Sequence, residues 1–79
     1  MKVQVKLYGT LPEAYPGEYP DGGLTVTTRK QITVGELVDL LRIPRDRVSL
    51  ISINGRLSKA DDSVPSGGLV KFFQPLHGG

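Results

Sequence analysis

The sequence has no cysteine, no tryptophan, one histidine and no long hydrophobic run, and each shortage removes a class of function. Without cysteine there is no disulfide framework, no thiolate nucleophile and no cysteine-ligated metal or iron-sulfur site. A single imidazole, His77, does not make a zinc site. The adjacent acids Asp61 and Asp62 have nothing nearby to complete a ligand set, so they read as a solvated turn and no metal is expected. No apolar segment approaches the roughly 20 residues that span a bilayer, and the opening MKVQVKLYG alternates polar with apolar residues where a signal peptide would be continuously apolar. These absences predict a soluble, cytoplasmic protein with no membrane partner.

Charge of one sign is also scarce. Ten Lys and Arg against eight Asp and Glu give a formal +2, and the basic residues are scattered along the chain. Nucleic-acid binding needs a concentrated patch or stripe, so no nucleic-acid partner is expected. Seventy-nine residues predict one domain, residues 1–79, with a single small core.

What is present reads as strands around one helix. Lys2 to Tyr8 alternates, with Val3, Val5 and Leu7 on one face and Lys2, Gln4, Lys6 and Tyr8 on the other, which is a half-buried strand. Residues 9–23, GTLPEAYPGEYPDGG, hold three prolines, four glycines and two tyrosines without a period, and read as a long loop. From the sequence, Tyr15 and Tyr19 fit a recognition loop or a disordered tip equally. LTVTTRK, residues 24–30, predicts a second strand pairing back on the first.

A helix is expected to start at TVGELVDLL, because Thr33 and Glu36 have the spacing of a capping box. Val34, Leu37, Val38 and Leu41 form its buried stripe, and Pro44 allows no continuation beyond about Ile43. Residues 48–53, VSLISI, predict a third strand, and Asn54-Gly55 is a strong hairpin signal leading to a short return strand near 56–58. KADDSVPSGG is turn chemistry. Gly67-Gly68 reads as turn glycine and not as a phosphate cradle, since no helix follows it. Arg42, Arg45 and Arg47 follow the helix, where cations offset its dipole; docking of an acidic partner is the lesser reading of the three.

LVKFFQ, residues 69–74, predicts the last strand. Its period puts Val70 and Phe72 on one face and Leu69, Lys71 and Phe73 on the other. Lys71 belongs in water, so Phe72 is the expected core residue, Phe73 the exposed one, and the Lys71 and Phe73 face the expected docking surface. Pro75 cannot donate to a sheet ladder and marks the expected boundary between a globule, 1–74, and a mobile tail, 75–79. Five extended residues reach about 16–18 Å. Gly78 and Gly79 carry no Cβ, so the backbone there can adopt angles closed to other residues.

This α+β pattern, a mixed sheet of four to five strands holding one main helix and finishing in a flexible Gly-Gly tail, resembles the ubiquitin-like β-grasp fold. More narrowly, the sequence resembles the MoaD/ThiS sulfur-carrier family, through VKLYG, TVGELVDLL, ISINGR and the closing VKFFQPLHGG. One departure is Gly67-Gly68 before Leu69, where the family commonly carries Gly-Asp. The resemblance implies a carrier and not an enzyme. Its Gly79 carboxylate would be converted to an acyl-adenylate by a ubiquitin-activating-type enzyme using ATP and magnesium, while the carrier itself holds no cofactor. A sulfur donor would then leave a thiocarboxylate on Gly79, with Pro75, Leu76, His77 and Gly78 threading the tail into the partner.

The implied acceptor is a molybdopterin synthase large subunit, serving molybdenum or tungsten cofactor biosynthesis, with thiazole synthase of the thiamine pathway as the alternative. A ubiquitin-like modifier conjugated through Gly79 and a passive binding module for RNA are the other readings. His77 has no partner in sequence to orient or tune it, so spacing or channel contact is its expected role.

Overall fold

The structure, a computed structural model, describes residues 1–75. Strand β1 (Lys2–Leu7) is followed by a one-turn helix α1 (Leu11–Ala14), strand β2 (Leu24–Thr27), the main helix α2 (Val34–Leu40), a 3-10 turn (Arg45–Arg47), and strands β3 (Leu50–Ile53), β4 (Arg56–Ser58) and β5 (Leu69–Phe73). One five-stranded sheet runs in the order β2-β1-β5-β3-β4. The central pair β1 and β5 is parallel, and every other pairing is antiparallel.

The alternation in the sequence decides which face meets α2. Val3, Val5, Leu7, Val70, Phe72 and Ile53 point inward and join Val34, Leu37, Val38 and Leu41 of the helix region in one core. Phe72 is fully buried, as its register beside Leu7 and Ile51 in the middle of the sheet requires. The Asn54-Gly55 turn has positive φ at both residues, 50° and 85°, the type I′ geometry whose twist matches that of flanking strands.

Helix α2 begins with the capping box. Thr33 Oγ1 accepts the Glu36 N–H at 3.1 Å, and Glu36 Oε1 accepts the Thr33 N–H at 2.8 Å. These bonds hold the Glu36 carboxyl below its ordinary range. Two more N–H groups of the first turn, those of Val34 and Gly35, donate to the carbonyls of Asp62 and Ala60. Asp62 is thereby structural, and its side chain also accepts the Lys59 N–H at 2.8 Å.

The helix ends earlier than its stripe extends. Leu41 is the cap and Arg42 turns left-handed at φ 59°, so Ile43 reaches the core from outside the helix. Arg45 then folds back, making a bidentate pair with Asp39 at 2.9 and 2.8 Å that holds the carboxyl low. Its guanidinium lies so close over Gly35 that a Cβ there would come within 2.9 Å of it.

Residues 9–23 differ from the expected loop. Pro12 starts the turn of α1, where a missing N–H costs nothing, and α1 buries Leu11 completely. Tyr15 and Tyr19 both pack against the core, and the Tyr19 hydroxyl accepts the Leu7 N–H at 3.0 Å. The register between β1 and β2 stops at Val5 and Leu24, so the tyrosine supplies the partner that a longer β2 would have offered. β2, β3 and β5 are each shorter than the sequence pattern predicts, ending at Thr27, beginning at Leu50 and ending at Phe73.

Candidate functional site

Because β5 is central, the chain after Phe73 is attached to the most firmly flanked strand of the sheet. Three segments remote in sequence meet at that root. The Ser49 N–H donates to the Phe73 carbonyl at 2.7 Å, closing the ladder on the β3 side. Gln74 leaves the ladder, and its Oε1 accepts the Thr10 N–H at 2.6 Å and the Thr10 hydroxyl. Thr10 Oγ1 in turn accepts from Arg47 Nη2 at 3.2 Å. Gly9, at φ 65°, leaves room for this: a Cβ there would fall on the Gln74 side chain. Pro75 follows, half-buried and without an N–H. The expected site residues Leu76, His77, Gly78 and Gly79 lie outside the described residues.

The face of the sheet away from α2 continues from this root. In register across β1, β5 and β3 stand Tyr8, Phe73 and Leu50, and the next row holds Lys6, Lys71, Ser52 and Leu57. Tyr8 and Phe73 stack with centroids 4.8 Å apart and planes 14° from parallel. Phe73 is therefore half-buried, where the sequence predicted an exposed ring, because a residue in a central strand has neighbours on both sides. Lys71 is likewise half-buried. The more exposed apolar groups are Leu57 at 77% and Leu50 at 52%, with Tyr8 at the rim.

The Lys71 and Phe73 face is thus an apolar surface bordered by two lysines, larger than the two residues first singled out. Sequence reasoning named neither Leu50 nor Leu57, it singled out neither Thr10 nor Gln74, and it read Arg47 only as a cation following the helix. Leu50 was readable as an exposed position of its strand once Ile51 and Ile53 are assigned inward. The Thr10 to Gln74 contact spans 64 residues and leaves no local signal.

Among the described residues no cluster of three or more His, Cys, Asp or Glu could hold a metal ion, and no helix is long and apolar enough to cross a membrane. Arg45 is engaged with Asp39 and Arg47 with Thr10, so two of the three arginines after α2 have local partners.

Comparison with known proteins agrees with this architecture. No curated protein matches the sequence. Among solved structures, the small archaeal modifier protein 1 of Haloferax volcanii is 18% identical with a TM-score of 0.71, over 95% of this chain and 98% of that one. A protein from the complex of subunits 1 and 2 of the molybdopterin-converting factor of Helicobacter pylori is 19% identical with a TM-score of 0.60, over the full length of both chains. A thiamine biosynthesis protein of Geobacter metallireducens is 21% identical with a TM-score of 0.54, over 96% and 87%. At these identities the likeness establishes the fold, a ubiquitin-like β-grasp. The model of the family described as Mut7-C ubiquitin matches residues 1–76. With that match spanning every described residue of the β-grasp, the chain belongs to the Mut7-C ubiquitin family.

Proposed function

We propose that this chain is a ubiquitin-like sulfur carrier that acts through the carboxylate of Gly79 and delivers sulfur in molybdopterin biosynthesis. The observation that carries the reading is the position of β5, a central strand whose end is fixed by Ser49, Thr10 and Gln74 immediately before Pro-Leu-His-Gly-Gly. A chain leaving such a root starts from a fixed point relative to the docking face. Pro75 to Gly79 then span about 16–18 Å when extended, enough to carry the reacting carbon into a partner's site.

A free carboxylate is a poor electrophile, so the chemistry needs an activating partner. A ubiquitin-activating-type enzyme, with its own ATP and magnesium, joins the Gly79 carboxylate to AMP and releases pyrophosphate. The terminal sulfur of a donor persulfide attacks the acyl carbon and AMP leaves. A thiol cleaves the resulting acyl disulfide, leaving the thiocarboxylate on Gly79 and a disulfide on the donor side. The acceptor synthase takes the sulfur, and the chain is a co-substrate and not a catalyst. The face bearing Tyr8, Phe73, Leu50 and Leu57 with Lys6 and Lys71 is the docking surface. In support, one structural neighbour comes from a complex of two molybdopterin-converting factor subunits.

A second reading, a protein modifier joined to lysines through Gly79, is supported by the neighbour described as a small archaeal modifier protein. Both share the adenylate and differ in the nucleophile that takes it. Incubating the untagged chain with the activating enzyme, magnesium-ATP and a persulfide donor should give AMP release and a thiocarboxylate on Gly79. Absence of chain-dependent pyrophosphate release contradicts both readings, and conjugates in place of thiocarboxylate favour the modifier.

A further inference from the structure

We propose that Thr10 and Gln74 form a latch, backed by Arg47, that sets where the reactive tail begins and the direction in which it leaves the sheet. The inference deepens the sulfur-carrier reading and rests on it. Thr10 occupies the N-cap of α1, where a threonine hydroxyl ordinarily accepts from its own helix. Here it caps nothing in α1. Its proton goes to Gln74 Oε1 while its oxygen accepts from Arg47 at 3.2 Å. Gln74 Oε1 also takes the Thr10 N–H at 2.6 Å. Gly9 supplies the left-handed turn and the missing Cβ without which the Gln74 side chain could not lie there.

A polar side chain just past the end of a strand normally rotates in water. At this position two donors from a turn 64 residues away hold it instead. The consequence falls on the tail. With Gln74 fixed, the chain leaves the sheet from a set position at Pro75, whose ring already restricts φ. Without the latch, the last fixed point retreats to Phe73, and the reactive end spends less time in a partner's site. Docking through the sheet face would be unchanged. Thr10 and Gln74 are therefore positioning residues: they touch neither the nucleotide nor the reacting carbon.

The test compares wild type, Gln74→Ala, Thr10→Val and Gln74→Glu in the full chain. Amide hydrogen exchange at Thr10 and nitrogen relaxation at Gln74 report the latch without any partner. Both should become tail-like in Gln74→Ala while the rest of the sheet keeps its protection, and Gln74→Glu, which retains an acceptor for Thr10, should restore them. In the adenylation assay Gln74→Ala and Thr10→Val should lower kcat by about five-fold with KM changed less than about two-fold, because docking precedes threading. Gln74→Glu should rescue kcat.

A backbone amide at position 74 as ordered in Gln74→Ala as in wild type overturns the latch. So does an unchanged kcat in both disrupting variants, or a change confined to KM. Thr10→Val guards against loss of fold in the other variant. If the wild-type chain itself is not adenylated, the sulfur-carrier reading fails, and the exchange and relaxation data alone decide the latch.

Discussion

Phe72 and Phe73 are chemically identical neighbours with opposite surroundings, and the difference comes from Lys71. A lysine between them belongs in water, so the strand period sends Phe72 to the core and Phe73 to the outer face, as the structure confirms. Removing the Phe72 ring should cost about 3–5 kcal/mol. That is a large part of the total for a domain of this size, on the order of 4–12 kcal/mol. A urea melt of Phe72→Ala should therefore show a midpoint far below wild type. Phe73→Ala forfeits the Tyr8 stack, worth about 0.5–1.5 kcal/mol, so its melt should move little. Its defect should appear as a raised KM with the activating enzyme; normal docking and normal sulfur acceptance would remove this face from the account. The inward set was legible because each side chain follows a local period. The stack with Tyr8 and the bonds of Thr10 were not, because they depend on which strands become neighbours.

At the scale of elements, the capping box at Thr33 and Glu36 was readable from two residues at the right spacing, and both its bonds are present. The end of α2 was less legible. Pro44 bounds the helix from outside, but the chain stops at Leu40 because Arg42 goes left-handed, and nothing in its sequence demands that. The turn α1 was hidden in a segment rich in Pro and Gly, although Thr-Leu-Pro-Glu carries a helix-start pattern with Pro near N1.

Thr33→Ala should cost about 1 kcal/mol by thermal or urea unfolding. Hydrogen bonds from Thr33 lower the Glu36 pKa in the folded state, and the Arg45 pair does the same for Asp39. A group held low when folded adds stability that is fully present above its unfolded pKa, about 4.3 for glutamate, and is lost as pH falls through the folded value. Stability measured from pH 6 down to pH 3 should therefore fall, and Glu36→Gln, which keeps an acceptor but cannot titrate, should flatten part of that slope. A slope unchanged in Glu36→Gln would show that the carboxylate is not what the capping box gains from. Both groups are exposed, so the effect should shrink with added salt.

At the scale of the whole molecule, the β-grasp places a parallel pair, β1 and β5, in the middle of a sheet whose other pairings are hairpin-like or antiparallel. The alternating strands, one capped helix and an Asn-Gly turn were enough to propose that fold. The order of strands was not legible by itself, because alternation says which side chains face inward and nothing about which strand lies beside which. The order is what gives the tail its root. The core residues, helix caps and strand pairings described all lie at or before Phe73, so on deleting Gly78 and Gly79 the melting temperature should stay within about 1 °C of wild type while adenylation is abolished. A deletion variant that is still adenylated would move the reacting group elsewhere.

The central claim is that Gly79 carries sulfur. The most direct test is the intact mass of the untagged protein isolated from its native cells, with fragmentation to locate any change. A sulfur carrier should show a population in which one sulfur replaces one oxygen, localised to Gly79. A carboxylate left unaltered in cells that contain the activating enzyme and sulfur donor, or a chain that continues past Gly79, would contradict it.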